Sequence, residues 1–126
     1  MKLILLAAAG GAIGSAARYL VNVGAMRAWG PAFPWSTLIV NVVGCLAIGL
    51  LAEGISHRFD NAPVLRTFLM TGILGGFTTF SAFSLDFALL LERKAHLAAA
   101  LYLGASVGLS LLGVFAGIAL ARALIH

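Results

Sequence analysis

Long apolar stretches without charge constrain the fold of this chain more than any other feature of its sequence. Residues 35–52, 67–85 and 97–121 contain no charged side chain, and residues 3–26 contain one, Arg18. About 20 consecutive apolar residues form a helix long enough to cross the hydrocarbon core of a bilayer. Only 10% of the residues are charged, against about 25% in a soluble domain, so the sequence predicts a chain embedded in a membrane.

The connections between these stretches are too short to hold a soluble domain. Gly30, Pro31 and Pro34 interrupt helix formation in the first connection, and charged residues mark the other two. We therefore predict an all-α membrane protein with a single domain, residues 1–126, whose four transmembrane helices span about residues 3–26, 35–57, 64–91 and 96–124.

The N-terminal stretch matches a secretory signal peptide only in part. Lys2, an apolar run and the alanines at 7–9 fit that pattern. The apolar stretch nevertheless continues to residue 26, so we expect it to remain as the first membrane helix.

The charged and reactive side chains argue against several functions. The net charge is +4, but the cations stand singly between apolar runs, unlike the basic patch of a protein that binds nucleic acid. The single cysteine, Cys45, cannot form an intrachain disulfide and belongs to no metal-binding cluster. No nucleophile–base pair or pair of carboxylates stands out, so we predict that the chain is not an enzyme.

The distribution of cations between the two sides of the membrane is almost even. With both termini on one side, that side carries four cations and the other carries three: Lys2, Arg58, Arg66 and Arg122 against Arg27, Arg93 and Lys94. An excess of Lys and Arg normally orients a membrane protein, and a difference of one does not. The sequence therefore predicts insertion in both orientations, which allows two copies to pair as an antiparallel dimer; the alternative is that a cue in a single helix orients the chain.

Glycines at helical spacing predict how the helices pack. Small residues four apart let two helix backbones approach closely in lipid. The chain contains three such pairs: Gly10 and Gly14, Gly104 and Gly108, and Gly113 and Gly117.

Polar side chains at membrane depth are costly, so they usually face a cavity or a partner. Arg18 lies on the same helical face as Gly10 and Gly14; it either lines a vestibule that attracts anions or extends to the interface. Asn41 lies in an uncharged segment and either lines a pore or joins two helices by hydrogen bonds.

Three hydroxyl groups follow one face of the fourth segment. Tyr102, Ser106 and Ser110 are spaced by four residues, so they form a stripe along about two helical turns. The stripe is interpreted as a hydrogen-bonding track, although serines in membrane helices also bond to their own backbone.

The strongest signal is the polar, glycine-rich sequence at residues 72–84, GILGGFTTFSAFS, in the middle of the third segment. Its glycines weaken the helix, and backbone groups freed at this depth must be satisfied by protein, ions or cavity water. Membrane proteins use such broken helices as ion sites. Phe80 and Phe83 share a helical face, and they are either core aromatics or a source of electropositive ring edges for an anion.

These residues resemble the Fluc (CrcB) family of fluoride channels over the whole chain. The matching pieces are Arg18, the run TLIVN at 37–41, the sequence at 72–84, and the stripe of Tyr102, Ser106 and Ser110. The resemblance implies a dual-topology homodimer with two antiparallel pores, each built from both subunits. It also implies passive, selective export of fluoride across a bacterial inner membrane.

The resemblance assigns roles to individual residues. Gly75 and Thr78 would supply backbone carbonyls to one structural Na⁺ on the dimer axis. The fluoride pathway would contain Phe80, Phe83, Asn41, Ser81, Thr79, Tyr102, Ser106, Ser110 and the vestibule arginine, Arg18. Two positions depart from the family pattern: Ser36 stands where Gly is usual, and Asp86 stands where Glu is usual.

Two other functions compete with a fluoride channel. A small proton-coupled exporter of the multidrug type is also short and can insert in both orientations, but it needs a carboxylate embedded in the membrane. The first segment has none, and Glu53 and Asp86 lie near the ends of apolar stretches. A non-transporting assembly subunit would not need the hydroxyl stripe or the polar sequence at 72–84.

Overall fold

The computed structural model describes residues 1–58 and 62–125, and its regular elements are helices. Three of them are long: α1 (Lys2–Trp29), α2 (Trp35–Arg58) and α6 (His96–Ile125). The third membrane segment consists of shorter pieces, namely α3 (Pro63–Leu65), a π-helix (Arg66–Leu74), α4 (Gly75–Phe77) and α5 (Phe80–Glu92). Of the predicted second connection, residues 59–61 lie outside the described part.

Four stretches of helix are long and apolar enough to cross a membrane: Lys2–Trp29, Trp35–Ser56, Pro63–Glu92 and His96–Ile125. The prediction of an all-helical protein with four membrane segments is therefore confirmed. Many large apolar side chains, such as Leu20, Leu112 and Phe115, are exposed on the surface of the protomer, as expected for helices that face lipid or a second protein.

The helix ends follow from local sequence. α1 ends where Gly30 adopts a positive φ of 76° and donates its N–H to the carbonyl of Met26, a conformation that glycine adopts without steric cost. Pro63 begins α3, where a helix does not need the missing N–H. The turn between α5 and α6 is tied to the first connection, because Arg93 Nη2 donates to the carbonyl of Ala32 at 2.9 Å.

α2 packs along α6 in the most extensive helix contact of the chain. A side chain at Gly49 would collide with the carbonyl of Val114, and one at Gly117 would lie 2.9 Å from the amide of Leu50. Small residues therefore let the two backbones approach closely. At the helix ends, Arg122 Nε pairs with a carboxylate oxygen of Glu53 at 2.9 Å.

The other close contact joins α1 to the third segment, and we call it the glycine seam. It consists of Gly10 and Gly14 of α1 against Gly72 and Gly76. A Cβ at Gly10 would lie 2.8 Å from the Cα of Gly72, and a Cβ at Gly76 would lie 2.6 Å from the carbonyl oxygen of Gly11. Backbone thus packs directly on backbone along the seam, which fixes the distance between the two helices.

The three glycine pairs do not share one role within the described protomer. Gly10 and Gly14 pack in the seam, and Gly113 and Gly117 pack on α2. A Cβ at Gly104 or at Gly108 would meet nothing within 4 Å. Within the protomer, this pair makes no close helix contact, because the part of α6 that packs on α2 carries Gly113 and Gly117.

Candidate functional site

The site is built around two residues of extended backbone in the third segment. α4 ends at Phe77 and α5 begins at Phe80, while Thr78 has φ −86° and ψ 159° and Thr79 has φ −157° and ψ 124°. Thr79 Oγ1 accepts from the amide of Ala82 at 3.1 Å, so it caps the start of α5 as threonine commonly does. We call Thr78 and Thr79 the linker.

Thr78 completes the preceding turn. Its amide N–H and its hydroxyl both donate to the carbonyl of Leu74, at 3.0 Å and 2.9 Å. The two threonine side chains thus supply local partners for backbone groups on each side of the linker, which is the established behaviour of threonine next to a helix end.

Asn41 of α2 holds the linker from the side. Its Oδ1 accepts from the amide of Thr79 at 2.8 Å, and its Nδ2 donates to the carbonyl of the same residue at 3.0 Å. The amide therefore joins two helices, one of the two roles that the sequence left open, and it also lines a cavity described below. One N–H of Nδ2 is not used by this pair of bonds, because the group carries two.

Arg18 reaches the same region from α1. Its Nε donates to the carbonyl of Gly76 at 3.0 Å, at the end of the glycine seam. That bond satisfies a backbone group just before the linker and holds the guanidinium inside the bundle. Arg18 also lines a polar cavity of about 300 Å³ with Thr37, Thr79 and Asp86.

Most of the predicted pathway residues surround one cavity. It has a volume of about 420 Å³ and is bounded by α2, the linker, the start of α5 and α6. The predicted residues on its lining are Asn41, Gly75, Thr78, Thr79, Phe80, Phe83, Ser106 and Ser110. Residues separated by up to 69 positions in the chain are thus brought to one place.

Ser106 offers this cavity an unused hydroxyl. The side chain is buried, with 5% of its surface exposed, and its Oγ has no hydrogen-bond partner within the described part of the chain. A buried polar atom without a partner is costly, so this hydroxyl needs a partner that the described protomer does not supply. Ser81, by contrast, lies on the exposed side of the linker, where its Oγ is 3.2 Å from Thr79 Oγ1.

The two predicted phenylalanines lie in different surroundings. Their ring centroids are 5.5 Å apart at an interplanar angle of 50°, but Phe83 is 7% exposed whereas Phe80 is 76% exposed. Phe83 also contacts Tyr102, with centroids 5.2 Å apart. Core packing accounts for Phe83, but it does not account for Phe80, whose ring projects from the protomer.

Tyr102 belongs to a hydrogen-bonded cluster that the sequence did not predict. Its ring is fully buried, and its hydroxyl donates to Asp86 Oδ2 at 3.1 Å. Thr37 Oγ1 donates to the same oxygen at 2.7 Å. Two donors therefore stabilise the carboxylate, which lies within α5, the helix from Phe80 to Glu92.

The sequence contained only an indirect signal for this cluster. Thr37 belongs to the TLIVN run, and Asp86 was singled out because Asp stands where the family usually has Glu. Their pairing spans 49 positions, so no local spacing could reveal it. The structure adds Thr37 and Asp86 to the polar residues of the site.

The donors available to a metal ion are backbone carbonyls rather than clustered side chains. Among the residues that the structure describes, no three His, Cys, Asp or Glu side chains form a potential metal site. Hydrogen bonds engage the carbonyls of Leu74, Gly76 and Thr79. Gly75, which the sequence predicts as a carbonyl donor to Na⁺, is exposed on the protomer surface.

Comparison with known proteins agrees with the resemblance. Residues 5–118 match the family described as "CrcB-like protein, Camphor Resistance (CrcB)". A "Fluoride-specific ion channel FluC" of Rhizobium etli is 58% identical over 121 residues, which cover 96% of this chain and 97% of that protein.

Two further relatives carry the same name. One from Rhizobium meliloti is 56% identical over an alignment that covers 99% of this chain and 100% of the relative. One from Rhodospirillum centenum is 57% identical, with 97% of each chain covered. Since these relatives are ion channels by name, the prediction that this chain is not an enzyme is confirmed. A match over nearly the whole length, at this level of identity, shows that the chain belongs to the CrcB-like family.

Proposed function

We propose that this chain forms a fluoride-selective channel that lets fluoride leave the cell passively across a bacterial inner membrane. The observation that carries the proposal is the composition of the 420 Å³ cavity. It combines two phenylalanine rings, an amide held at the linker and the unpartnered hydroxyl of Ser106. The names of the relatives supply the ion.

The chemistry of the cavity suits a small, strongly hydrated anion. A narrow pore must replace the water around the ion with oriented donors, yet hold it weakly enough to release it. Hydroxyls, one amide N–H and the electropositive edges of Phe80 and Phe83 are neutral donors distributed along the path. The positive charge of Arg18 lies in the 300 Å³ cavity, which the carboxylate of Asp86 also lines, so the guanidinium is outside the 420 Å³ cavity and does not trap an anion there.

The exposed residues around the linker support a homodimer. Phe80 is 76% exposed, and Gly75 and Ser81 are also exposed beside a linker in the middle of a membrane segment. Lipid cannot satisfy polar backbone or hydroxyl groups, so a second copy of the chain covers this face. With the even cation count, the two copies are antiparallel, and each of two pores uses residues from both.

The orientation of the two subunits is tested with tags at the C-terminus. In cells that express one tagged chain, tags should be found on both sides of the membrane. Two or three lysines added to one loop should then lock the orientation and abolish transport until the oppositely locked variant is co-expressed. Tags confined to one side would overturn the antiparallel arrangement.

A structural Na⁺ at the linker is part of the same proposal. The carbonyls of Gly75 and Thr78 from both subunits are hard oxygen donors without formal charge, a set that suits a monovalent cation better than Ca²⁺. The extended backbone of Thr78 turns its carbonyl away from the helical ladder. An experimental structure of the dimer with water at this point, and without distances typical of a cation, would contradict the site.

The aromatic pair provides the direct test of the fluoride pathway. Replacing Phe80 or Phe83 by Ile keeps apolar bulk but removes the ring quadrupole. We expect fluoride flux from liposomes to fall sharply in each variant, while the dimer remains intact, because apolar exchanges of similar volume usually cost less than about 1.5 kcal/mol. Met should be milder than Ile, since its thioether is polarizable.

The same purified variants distinguish transport from packing. If the rings serve only as core, the dimer should dissociate on a sizing column while flux per surviving dimer stays constant. Normal flux through a folded Phe80→Ile, Phe83→Ile double variant would end the aromatic proposal. Measuring fluoride and chloride flux with and without a proton gradient tests the channel itself, because a proton-coupled exporter would respond to the gradient.

A further inference from the structure

A continuous series of aromatic contacts runs from the end of the bundle to the linker. Neighbouring ring centroids are between 4.8 and 5.8 Å apart along the order Trp29, Trp35, Phe33, Tyr102, Phe83 and Phe80. The exposed fraction of the residue falls from 57% at Trp29 to 40% at Trp35 and to 0% at Tyr102. Phe33 is therefore the member that joins the exposed end of the series to the buried one.

Phe33 contacts Tyr102 in a defined geometry. The two rings form a T-shaped pair with centroids 5.5 Å apart and an interplanar angle of 87°. Such edge-to-face pairs contribute about 0.5–1.5 kcal/mol beyond their buried area. Because Phe83 also packs on Tyr102, aromatic neighbours from two different elements restrict the orientation of the tyrosine ring.

The connection that carries Phe33 is itself held in place. Arg93, in the turn after α5, donates to the carbonyl of Ala32 at 2.9 Å, and the amide of Trp35 donates to the carbonyl of Phe33 at 2.9 Å. Phe33 also lines a cavity of about 530 Å³ at this end of the bundle, together with Thr37 and Asp86. The ring thus stands between that cavity and the buried tyrosine.

We propose that Phe33 is a positioning residue for Tyr102, the first residue of the hydroxyl stripe. Phe33 fixes the ring of Tyr102 so that the phenol hydroxyl keeps its hydrogen bond to the carboxylate of Asp86. The hydroxyl moves with the ring, and its 3.1 Å bond to Asp86 Oδ2 allows little tilt before the distance exceeds that of a hydrogen bond. The inference rests on the proposed function, in which Tyr102 belongs to the fluoride pathway. It assigns a transport role to the connection between α1 and α2, where none of the predicted pathway residues lies.

The first experiment follows the hydrogen bond of Tyr102 directly. The chain contains two tyrosines, so a Tyr19→Phe background leaves Tyr102 as the single reporter in ultraviolet resonance Raman spectra. Phe33→Leu keeps an apolar side chain but removes the ring, and it should shift the tyrosine bands toward those of a phenol with a weaker hydrogen bond. The control is Phe115→Leu, which removes an exposed ring elsewhere in the chain and should preserve the bands; unchanged bands in Phe33→Leu would overturn the inference.

The second experiment is a double-mutant cycle on fluoride flux per dimer. We expect Phe33→Leu to lower flux by about tenfold, within the range of coupling between residues in contact. In a Tyr102→Phe background the same change should have no further effect, because the hydroxyl that Phe33 positions is gone. Additive losses would show that Phe33 acts independently of Tyr102 and would overturn the positioning role.

The two experiments separate this inference from the proposed function. If Tyr102→Phe conducts fluoride normally, Tyr102 is not part of the pathway and that element of the proposed function fails. The Raman result would still decide whether Phe33 positions the ring. If Phe33→Leu does not fold, Phe33→Met fills the same volume with a flexible apolar chain and carries the same expectations for bands and flux.

Discussion

The glycine seam and the linker lie next to each other in the third segment, but different forces determine their structures. In the seam, α1 and the π-helix meet backbone to backbone, and Gly10 and Gly72 leave no room for a Cβ. At the linker, the side chain of Asn41 reaches the backbone of Thr79 and forms two hydrogen bonds with it. The seam is thus defined by the absence of side chains, and the linker by particular polar side chains.

The difference has a physical cause in the membrane. Regular helices satisfy their own backbone hydrogen bonds. Two such helices therefore pack through complementary surfaces alone, and glycines let their backbones approach closely. Where the helix is interrupted at Thr78 and Thr79, backbone groups lose their partners and lipid offers none. We therefore expect substitutions in the seam to change how much protein folds, and substitutions at the linker to change how well the folded protein conducts.

The largest expected effect comes from Gly14→Ala. The new methyl group would collide with the carbonyl of Ile73 and lie 2.8 Å from the amide of Phe77, and backbone cannot rotate away as a side chain can. Overpacking a tight contact typically costs about 1–3 kcal/mol, and we expect the upper end or more. Thermal unfolding in detergent and the yield of dimer on a sizing column measure the loss.

Gly24→Ala is the matched control for that variant. Gly24 lies in the same helix, and a Cβ there would meet nothing within 4 Å, so stability should not fall, and the higher helix propensity of alanine favours a small gain. Equal behaviour of the two alanine variants would mean that backbone contact does not determine the seam.

The next effect in size is expected for Asn41→Leu, which has the same branched shape but makes no hydrogen bonds. The amide and carbonyl of Thr79 would lose their partners, at about 1–3 kcal/mol for each stranded group. We expect a folded dimer of reduced stability whose fluoride flux per dimer is strongly reduced, because the linker no longer holds Phe80 in place.

The control for this variant is Val43→Leu in the same helix. Val43 is 48% exposed, so an added methylene there should alter neither stability nor flux. If Asn41→Leu instead reduces the yield of folded protein as severely as Gly14→Ala, the distinction between the seam and the linker fails.

The smallest effect is expected for Thr79→Val, which removes the hydroxyl that caps α5. Loss of the bond from the amide of Ala82 should cost about 1 kcal/mol of stability. Thr79→Ser restores the hydroxyl and should recover that loss, since serine caps helices equally well. A drop in stability that serine does not recover would point to the methyl group of Thr79 rather than to its hydroxyl.

The sequence predicted the large features of the fold correctly because they depend on composition and length. The uncharged stretches at 35–52 and 97–121 lie within α2 and α6, since only a helix satisfies its own backbone in lipid. Glycine spacing predicted the helix contacts less well. It indicated a close contact equally at Gly104 and Gly108 and at Gly113 and Gly117, but within the protomer only the latter pair packs on a neighbouring helix. Spacing shows that close approach is possible, and the fold decides where a partner lies.

The candidate site was predicted residue by residue but not as a set of contacts. Asn41 was identified as a polar residue that needs a partner, yet only the structure shows that this partner is the backbone of Thr79. The carboxylate of Asp86 bonds to Thr37 and Tyr102, which lie on two other helices. Such contacts join positions far apart in the chain, and no sequence pattern records them.

By itself, the sequence determined that this chain crosses a membrane as helices, that polar residues interrupt its third segment, and that it resembles a family of ion channels. Those properties follow from local chemistry: apolar length, glycine content and the types of polar side chain. Only the tertiary structure decided which polar groups are engaged and which are free. Asn41 and Arg18 hold the backbone, whereas the buried hydroxyl of Ser106 has no partner in the described chain, because hydrogen bonds depend on distances between helices that only packing sets.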